Sequence, residues 1–251
     1  MRPGERQAQI LDLVEREGEA TVESLAAAFA VSAETIRRDL SQLAESGALQ
    51  KVHGGARRMR LRAEGSFEER MAEQAAGKAV IGQKLCDLVS PGDTCFIDTG
   101  TTTLACAQAL AQVADLTVIT NSGRIAQVMA RGEGRARVFL IGGSYAAGNG
   151  ETVGPMAVEQ IAQFRADHAV IGAAAVDAAA GPMDADFDEA AVARAMCAHA
   201  RQIVVVAHSD KIGRRAAHRI CRLDEVDTLI SDTVPGDAFR AAMTAAGVAL
   251  R

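Results

Sequence analysis

"FIDTGTTTLA", Phe96 to Ala105, runs from a short apolar stretch through an acid, a glycine and three threonines into a helical pattern. Strand, tight turn and helix start, in that order, form the unit from which open α/β sheets are assembled. Gly100 lets the backbone turn, and the amides of Thr101, Thr102 and Thr103 begin a helix with no acceptor inside it. Three readings stand: chemistry on the hydroxyls, a plain capped turn, or a seat for an anion made of amides and hydroxyls.

Outward from this stretch the same alternation repeats. Apolar runs at Thr94–Asp98, Leu116–Thr120, Arg137–Ile141, Ala169–Ala173, Gln202–Ala207 and Val226–Ser231 read as strands. Helical patterns fill the gaps at Thr102–Gln112, Arg124–Arg131, Met156–Phe164, Phe187–His199 and Asp237–Ala246. The spacing predicts an α/β domain over residues 78–251, a Rossmann-like and mostly parallel sheet covered on both faces. Residues 58–77 are polar and weakly periodic and read as a linker that passes into a helix carrying Phe67 and Met71.

Such sheets bind ligands beyond the carboxyl ends of their strands. The residues there are Asp98, Gly100, Thr101, Thr102 and Thr103, then Asn121, Gly142, Gly143 and Gly172, and Lys211 in "AHSDKIGR". Several small polar groups and a lysine on one rim favour a phosphate. For Gly142-Gly143 a tight turn is an equal reading. Asp186 and Glu189, in "DADFDEAAV", stand three apart at a helix start and share a face. They suit recognition of polyol hydroxyls, acid–base work on a sugar, or capping of their helix.

Residues 1–57 have a different grammar. A helix ending at Gly18 and a short one over Thr21–Phe29 precede "VSAETIRRDLSQLAESGALQKVHGGA", Val31 to Ala56. Ile36, Leu40 and Leu43 share one buried stripe, which leaves Thr35, Arg37, Arg38, Ser41 and Gln42 on the opposite side. Hydroxyl, guanidinium and amide groups of this kind read major-groove edges and grip phosphates. Ser32 is placed to cap the helix. The alternating segment that turns at Gly54-Gly55 suits a wing, with Lys51 and His53 near a sugar-phosphate backbone.

Composition narrows the function classes. The net charge is −5, yet residues 1–62 carry +1, with Lys51, Arg57, Arg58, Arg60 and Arg62 uninterrupted by any acid. No Trp and a single Tyr argue against a stacking platform for single-stranded nucleic acid. The apolar runs are too short to span a bilayer, and an N-terminus without an apolar core points to the cytoplasm. Five scattered cysteines lack metal-ligand spacing, so reduced thiols and neither metal nor cofactor are expected.

The Val31–Ala56 stretch resembles the winged helix–turn–helix of the DeoR family of bacterial transcriptional regulators. The resemblance implies that Ser32, Thr35, Arg37 and Arg38 lie at DNA, with His53, Gly54 and Gly55 in the wing. It extends over nearly the whole chain. It implies a sensor similar in fold to ribose-5-phosphate isomerase and glucosamine-6-phosphate deaminase that binds phosphorylated sugars or polyols. Matching positions include Asp98, Gly100, Thr101, Thr102, Asn121, Gly142, Gly143, Gly172, Asp186, Glu189, Ser209, Lys211, Gly213 and Arg214. "QFRADHAVIGAAAVD" and "DFDEAAV" look most like glycerol-3-phosphate regulon repressors. The chain departs from the family at His208, often Asp, at Ala146, commonly Arg, and at Ala175, often Gly.

The expectation is a homo-oligomeric repressor, dimer or tetramer, that binds double-stranded operator DNA and answers to a phosphorylated sugar or polyol, with glycerol-3-phosphate the best single guess. The alternative is a sugar-phosphate isomerase or deaminase with Asp186 and Glu189 as acid and base.

Overall fold

The structure, a computed structural model, describes residues 3–45, 49–52, 54–57 and 65–251. His53, Arg58, Arg60 and Arg62 fall outside them. The chain divides into two compact units, Met1–Leu61 with Gly213–Arg215, and Arg62–Ile212 with Ala216–Arg251.

In the first unit α1 (Pro3–Glu17), β1 (Glu19–Thr21), α2 (Val22–Phe29) and α3 (Ala33–Glu45) precede β2 (Gln50–Val52) and β3 (Gly55–Arg57). Thr21 starts α2 through a reciprocal capping box with Ser24, and Ala30 ends it in the left-handed conformation. Ile36 and Leu40 of α3 are fully buried with Ile10, Val14 and Leu25, as the stripe predicts. The wing is three-stranded: β3 pairs with β2 and also, antiparallel, with β1. The third strand escapes the sequence pattern because Glu19–Thr21 is too short to show alternation.

The second unit opens with α4 (Phe67–Ala72) and α5 (Ala75–Cys86). Phe67 belongs to this unit's core. There follow β4 (Thr94–Ile97), α6 (Thr101–Leu110), β5 (Thr117–Thr120), α7 (Gly123–Arg131), β6 (Arg137–Leu140), β7 (Ser144–Ala146), β8 (Glu151–Val153) and α8 (Pro155–Ile161). Then come β9 (Ala166–Gly172), β10 (Ala175–Asp177), β11 (Gly181–Asp184), α9 (Phe187–Ala198), β12 (Ala200–Val206), β13 (His218–Arg219), β14 (Thr228–Ile230), α10 (Asp237–Ala246) and β15 (Ala249–Leu250).

The main sheet runs β15-β14-β12-β9-β4-β5-β6, with every neighbouring pair parallel. Side chains alternate between two apolar layers. Phe96, Ile171 and Val205 enter one, while Cys95, Ile97, Val170, Val204 and Val206 enter the other. Burial on both faces explains why the strands read as continuous apolar runs. Two small antiparallel additions, the β7–β8 hairpin and the β10-β11-β13 sheet, lie outside the predicted alternation. Successive strands step one way from β4 and the other way from β9, so the order reverses between these two neighbours. Open α/β sheets place ligands at such a point.

Candidate functional site

A cleft opens at the carboxyl ends of β4 and β9. Thr99 to Thr103 form one wall and Gly172 to Ala174 another, with Arg70, Asp184, Glu189 and Lys211 completing it. Gly100 precedes α6 at φ 136°, a conformation that favours glycine, and its carbonyl accepts the first bond of α6 from Leu104 at 2.9 Å. The amides of Thr101, Thr102 and Thr103 therefore have no acceptor within α6. Thr103 Oγ1 donates to the Gly100 carbonyl at 3.0 Å, so this hydroxyl secures the turn. Gly172 packs closely: a Cβ there would sit 3.1 Å from the Thr99 carbonyl.

The cations are held by protein oxygens. Lys211, in the turn after β12, donates through Nζ to the Ala173 carbonyl at 2.7 Å. Arg70 donates through Nε to the Gly65 carbonyl at 3.1 Å and through a terminal nitrogen to Asn149 Oδ1. Its own carbonyl accepts from the buried Lys78 ammonium.

The carboxyl groups are held by side-chain amides. Asn149, in the β7–β8 turn, donates to Glu189 Oε1 at 2.7 Å and to Glu151 Oε1 at 3.0 Å. Asn121 Nδ2 donates to Glu151 Oε2 at 3.0 Å and to the Thr152 carbonyl at 3.1 Å. Burial first, then the charges of Asp184, Glu151 and Glu189, hold the Asp98 carboxyl well above the usual range. Burial likewise pushes Glu151 up to about 7, against the lowering effect of its bonds from Asn149 and Asn121. Nearby His208 is buried; desolvation first, then Lys211 and Lys78, bring it down to about 4. Among the described residues no group of His, Cys, Asp and Glu could hold a metal ion.

Of the residues expected at an effector, Gly100, Thr101, Thr102, Thr103, Gly172, Glu189 and Lys211 line this cleft, and Asp98 is buried beside it. Asp186 does not line it. Its Oδ1 accepts the amides of Asp188 and Glu189, capping α9, and Asp184 takes the place beside Glu189. Asn121 stands behind the cleft as a support for Glu151. Gly142 donates its amide to Gln160 at 3.0 Å, and a Cβ on Gly143 would meet the Val153 carbonyl at 2.6 Å, so both serve the turn into β7. Arg70, Thr99, Asn149 and Glu151 carry no sequence signal of their own.

In the first unit, α3 presents a polar face. Ser32 Oγ accepts the Thr35 amide at 3.2 Å, and the two hydroxyls lie 2.9 Å apart. Arg37 is exposed and pairs loosely with Glu34 at 3.5 Å; Arg38 is exposed as well. Ser41 accepts from Lys51 Nζ at 2.9 Å, which ties β2 to this face. Gln42 turns toward α1, where its Oε1 accepts from Gln7 at 2.6 Å. Gly54 is exposed at φ 79° in the wing turn, whereas Gly55 is buried, with no room for a side chain against β1.

Residues 6–60 match the DeoR-like helix-turn-helix domain and residues 73–233 the DeoR C-terminal sensor domain. The chain is 35% identical to the HTH-type transcriptional repressor CsqR of Escherichia coli over 94% of its own length and 90% of that protein. It is 32% identical to the Escherichia coli glycerol-3-phosphate regulon repressor over 94% and 93%. With the Bacillus subtilis repressor GlcR it shares 32% identity over 94% and 90%. Among solved structures, the eIF2B-beta2-delta2 complex of C. thermophilum superposes with a TM-score of 0.50 at 12% identity over 71% of this chain and 63% of that one, a likeness of fold. A D-ribose-5-phosphate isomerase superposes with a TM-score of 0.40 at 14% identity over 59% and 55%. The chain belongs to the DeoR family of transcriptional regulators. It is a repressor with a helix–turn–helix domain and a sensor domain, and its relatives' names set it with regulators and apart from the isomerase and deaminase enzymes. Among the described residues no helix is long and apolar enough to cross a membrane.

Proposed function

We propose that the chain represses transcription as a homo-oligomer on double-stranded operator DNA and that a phosphorylated sugar or polyol bound in the cleft controls its DNA affinity. The observation that carries this reading is the meeting of the α6 N-terminus with Arg70 and Lys211 on one cleft. Free amides, a helix dipole and two cations suit a phosphate. On the relatives' names glycerol-3-phosphate is the leading single candidate.

Occupancy reaches the DNA-binding unit by linkage. A phosphate competes for Lys211 against the Ala173 carbonyl and for Arg70 against Asn149 and Gly65. Drawing Arg70 toward an anion releases the Gly65 carbonyl. A differential of about 1–3 kcal/mol between bound and free states is sufficient for regulation. On the DNA side, Thr35, Arg37, Arg38, Ser41 and Lys51 make the contacts, with Gly54 turning the wing.

The test is a thermal-shift screen of phosphorylated sugars and polyols, followed by gel shifts of the hits on DNA selected by the protein from a random pool. A hit should raise the melting temperature and release the DNA. Lys211→Ala and Thr101→Ala variants should bind DNA and ignore the hit; normal release by both would remove the cleft from the mechanism.

A further inference from the structure

We propose that Cys197 and Cys221 form a paired-thiol site, which a low-molecular-weight disulfide oxidises to a cross-link between α9 and the segment leaving β13. Both are free thiols in one apolar cluster, each 8% exposed. The fold brings them together by fixing both backbones. Arg194 of α9 donates through a terminal nitrogen to the Arg219 carbonyl of β13 at 2.7 Å. Cys197 lies about one turn further along α9, on the same face, and Cys221 lies just beyond Arg219. The Ile220 amide donates to the Pro182 carbonyl at 2.9 Å. A Cβ on Gly181 would stand 2.7 Å from the Cys221 carbonyl, so this segment is pressed against the start of β11. Held in this way, the Cys197 thiol donates a hydrogen bond to the Cys221 sulfur.

That bond sets the order of reaction. The bond to Cys221, and then burial, hold the Cys197 thiol well above its ordinary range, so Cys197 keeps its proton at first. Cys221 accepts the bond and is the sulfur that attacks. As a thiolate it bonds one sulfur of the oxidant, whose S–S bond breaks and expels a thiolate. Cys197 then yields its proton and attacks the Cys221 sulfur, and the second oxidant thiol leaves. The chain loses two electrons and two protons, and the oxidant is reduced to two thiols. Cys95 and Cys106 differ: both are fully buried, and burial pushes their thiols up, Cys95 to about 12, so they stay inert.

The cross-link acts as a clamp. α9 carries Glu189 near its start, and β13 pairs with β11 where His218 stands opposite Asp184. Joining α9 to the segment after β13 ties together the elements that bring these two acids to the cleft. A bridge that closes such a loop stabilises the fold chiefly by restricting the unfolded chain. The expected rise in melting temperature is about 5 °C or more.

The experiment treats the folded full chain with cystamine at neutral pH, quenches it by unfolding in an alkylating agent, and maps the peptides by mass spectrometry. A linked Cys197–Cys221 peptide, two hydrogens lighter than the reduced pair, is expected. The melting temperature should rise as stated and return on treatment with dithiothreitol. Cys197→Ser should hold a cysteamine adduct on Cys221, whereas Cys221→Ser should leave Cys197 unmodified. Wild-type chain with both thiols alkylated, or with either joined to another cysteine, overturns the site, and that measurement needs no variant to fold. A bridge that leaves the melting temperature unchanged overturns the clamp. An adduct on Cys197 in Cys221→Ser overturns the order of attack.

Discussion

Arg6 donates through Nε to Asp39 Oδ2 at 2.6 Å, joining α1 to the middle of α3 inside the DNA-binding unit. Asp39 belongs to the "TIRRDL" stretch whose arginines face outward, yet it is buried. Removing one partner strands the other charge in the core. Asp39→Ala is therefore expected to lower the melting temperature of the N-terminal unit and weaken DNA binding, with the sensor's response to its effector retained. Scanning calorimetry with and without effector checks both halves.

Arg37 and Arg38 lie on the exposed side of the same helix. Each should cost DNA affinity when changed to Ala without changing the melting temperature. A residue that grips phosphate lowers the slope of log affinity against log salt by about one. A base-reading residue relaxes sequence preference instead, at about 1–3 kcal/mol. Filter binding across salt concentrations and sequences tells the two apart.

Glu151 should make stability depend on pH. Its carboxyl titrates at about 7 in the fold against an ordinary 4.5. The folded state holds this proton longer than the unfolded chain, so the contribution is full below the ordinary value and is lost as pH rises through about 7. Glu151→Gln keeps the neutral shape. Its melting temperature is expected to vary less than that of the wild type between about pH 5 and 8, and to exceed it at the upper end. A parallel pair of curves would contradict this.

His208 acts with the opposite sense. Burial, Lys211 and Lys78 bring it to about 4 from an ordinary 6.5. The unfolded chain binds the proton first, so stability falls as pH drops from the ordinary value through about 4. A His208→Asn variant should lose less stability over that interval, measured as the midpoint of urea unfolding at each pH.

Local features were readable from the chain. The strand–turn–helix at Phe96–Ala105 and the stripe of Ile36, Leu40 and Leu43 depend on neighbours a few residues away, and they stand where the pattern put them. The contacts that hold Arg70 and Glu189 at the cleft were less so. Arg70 meets Asn149 across 79 residues of sequence, and Asn149 meets Glu189 across 40. No periodicity encodes such encounters; they arise because the turn of the β7–β8 hairpin meets both α4 and α9. Asp186 shows the converse. A carboxylate at a helix start is a sequence signal for a cap and for a ligand alike, and its bonds to the amides of Asp188 and Glu189 make it a cap.

Gly55 carries a lesson for genetics. A Cβ on this residue would lie 2.3 Å from the Ala20 carbonyl, where β3 is fastened to β1. Any replacement forces the wing away from its neighbour. A screen for lost repression would thus recover Gly55 beside the arginines of α3 and suggest a contact map that includes it. Ranking the recovered alleles by heat resistance before ranking them by operator affinity would separate the scaffold's mutations from the reader's.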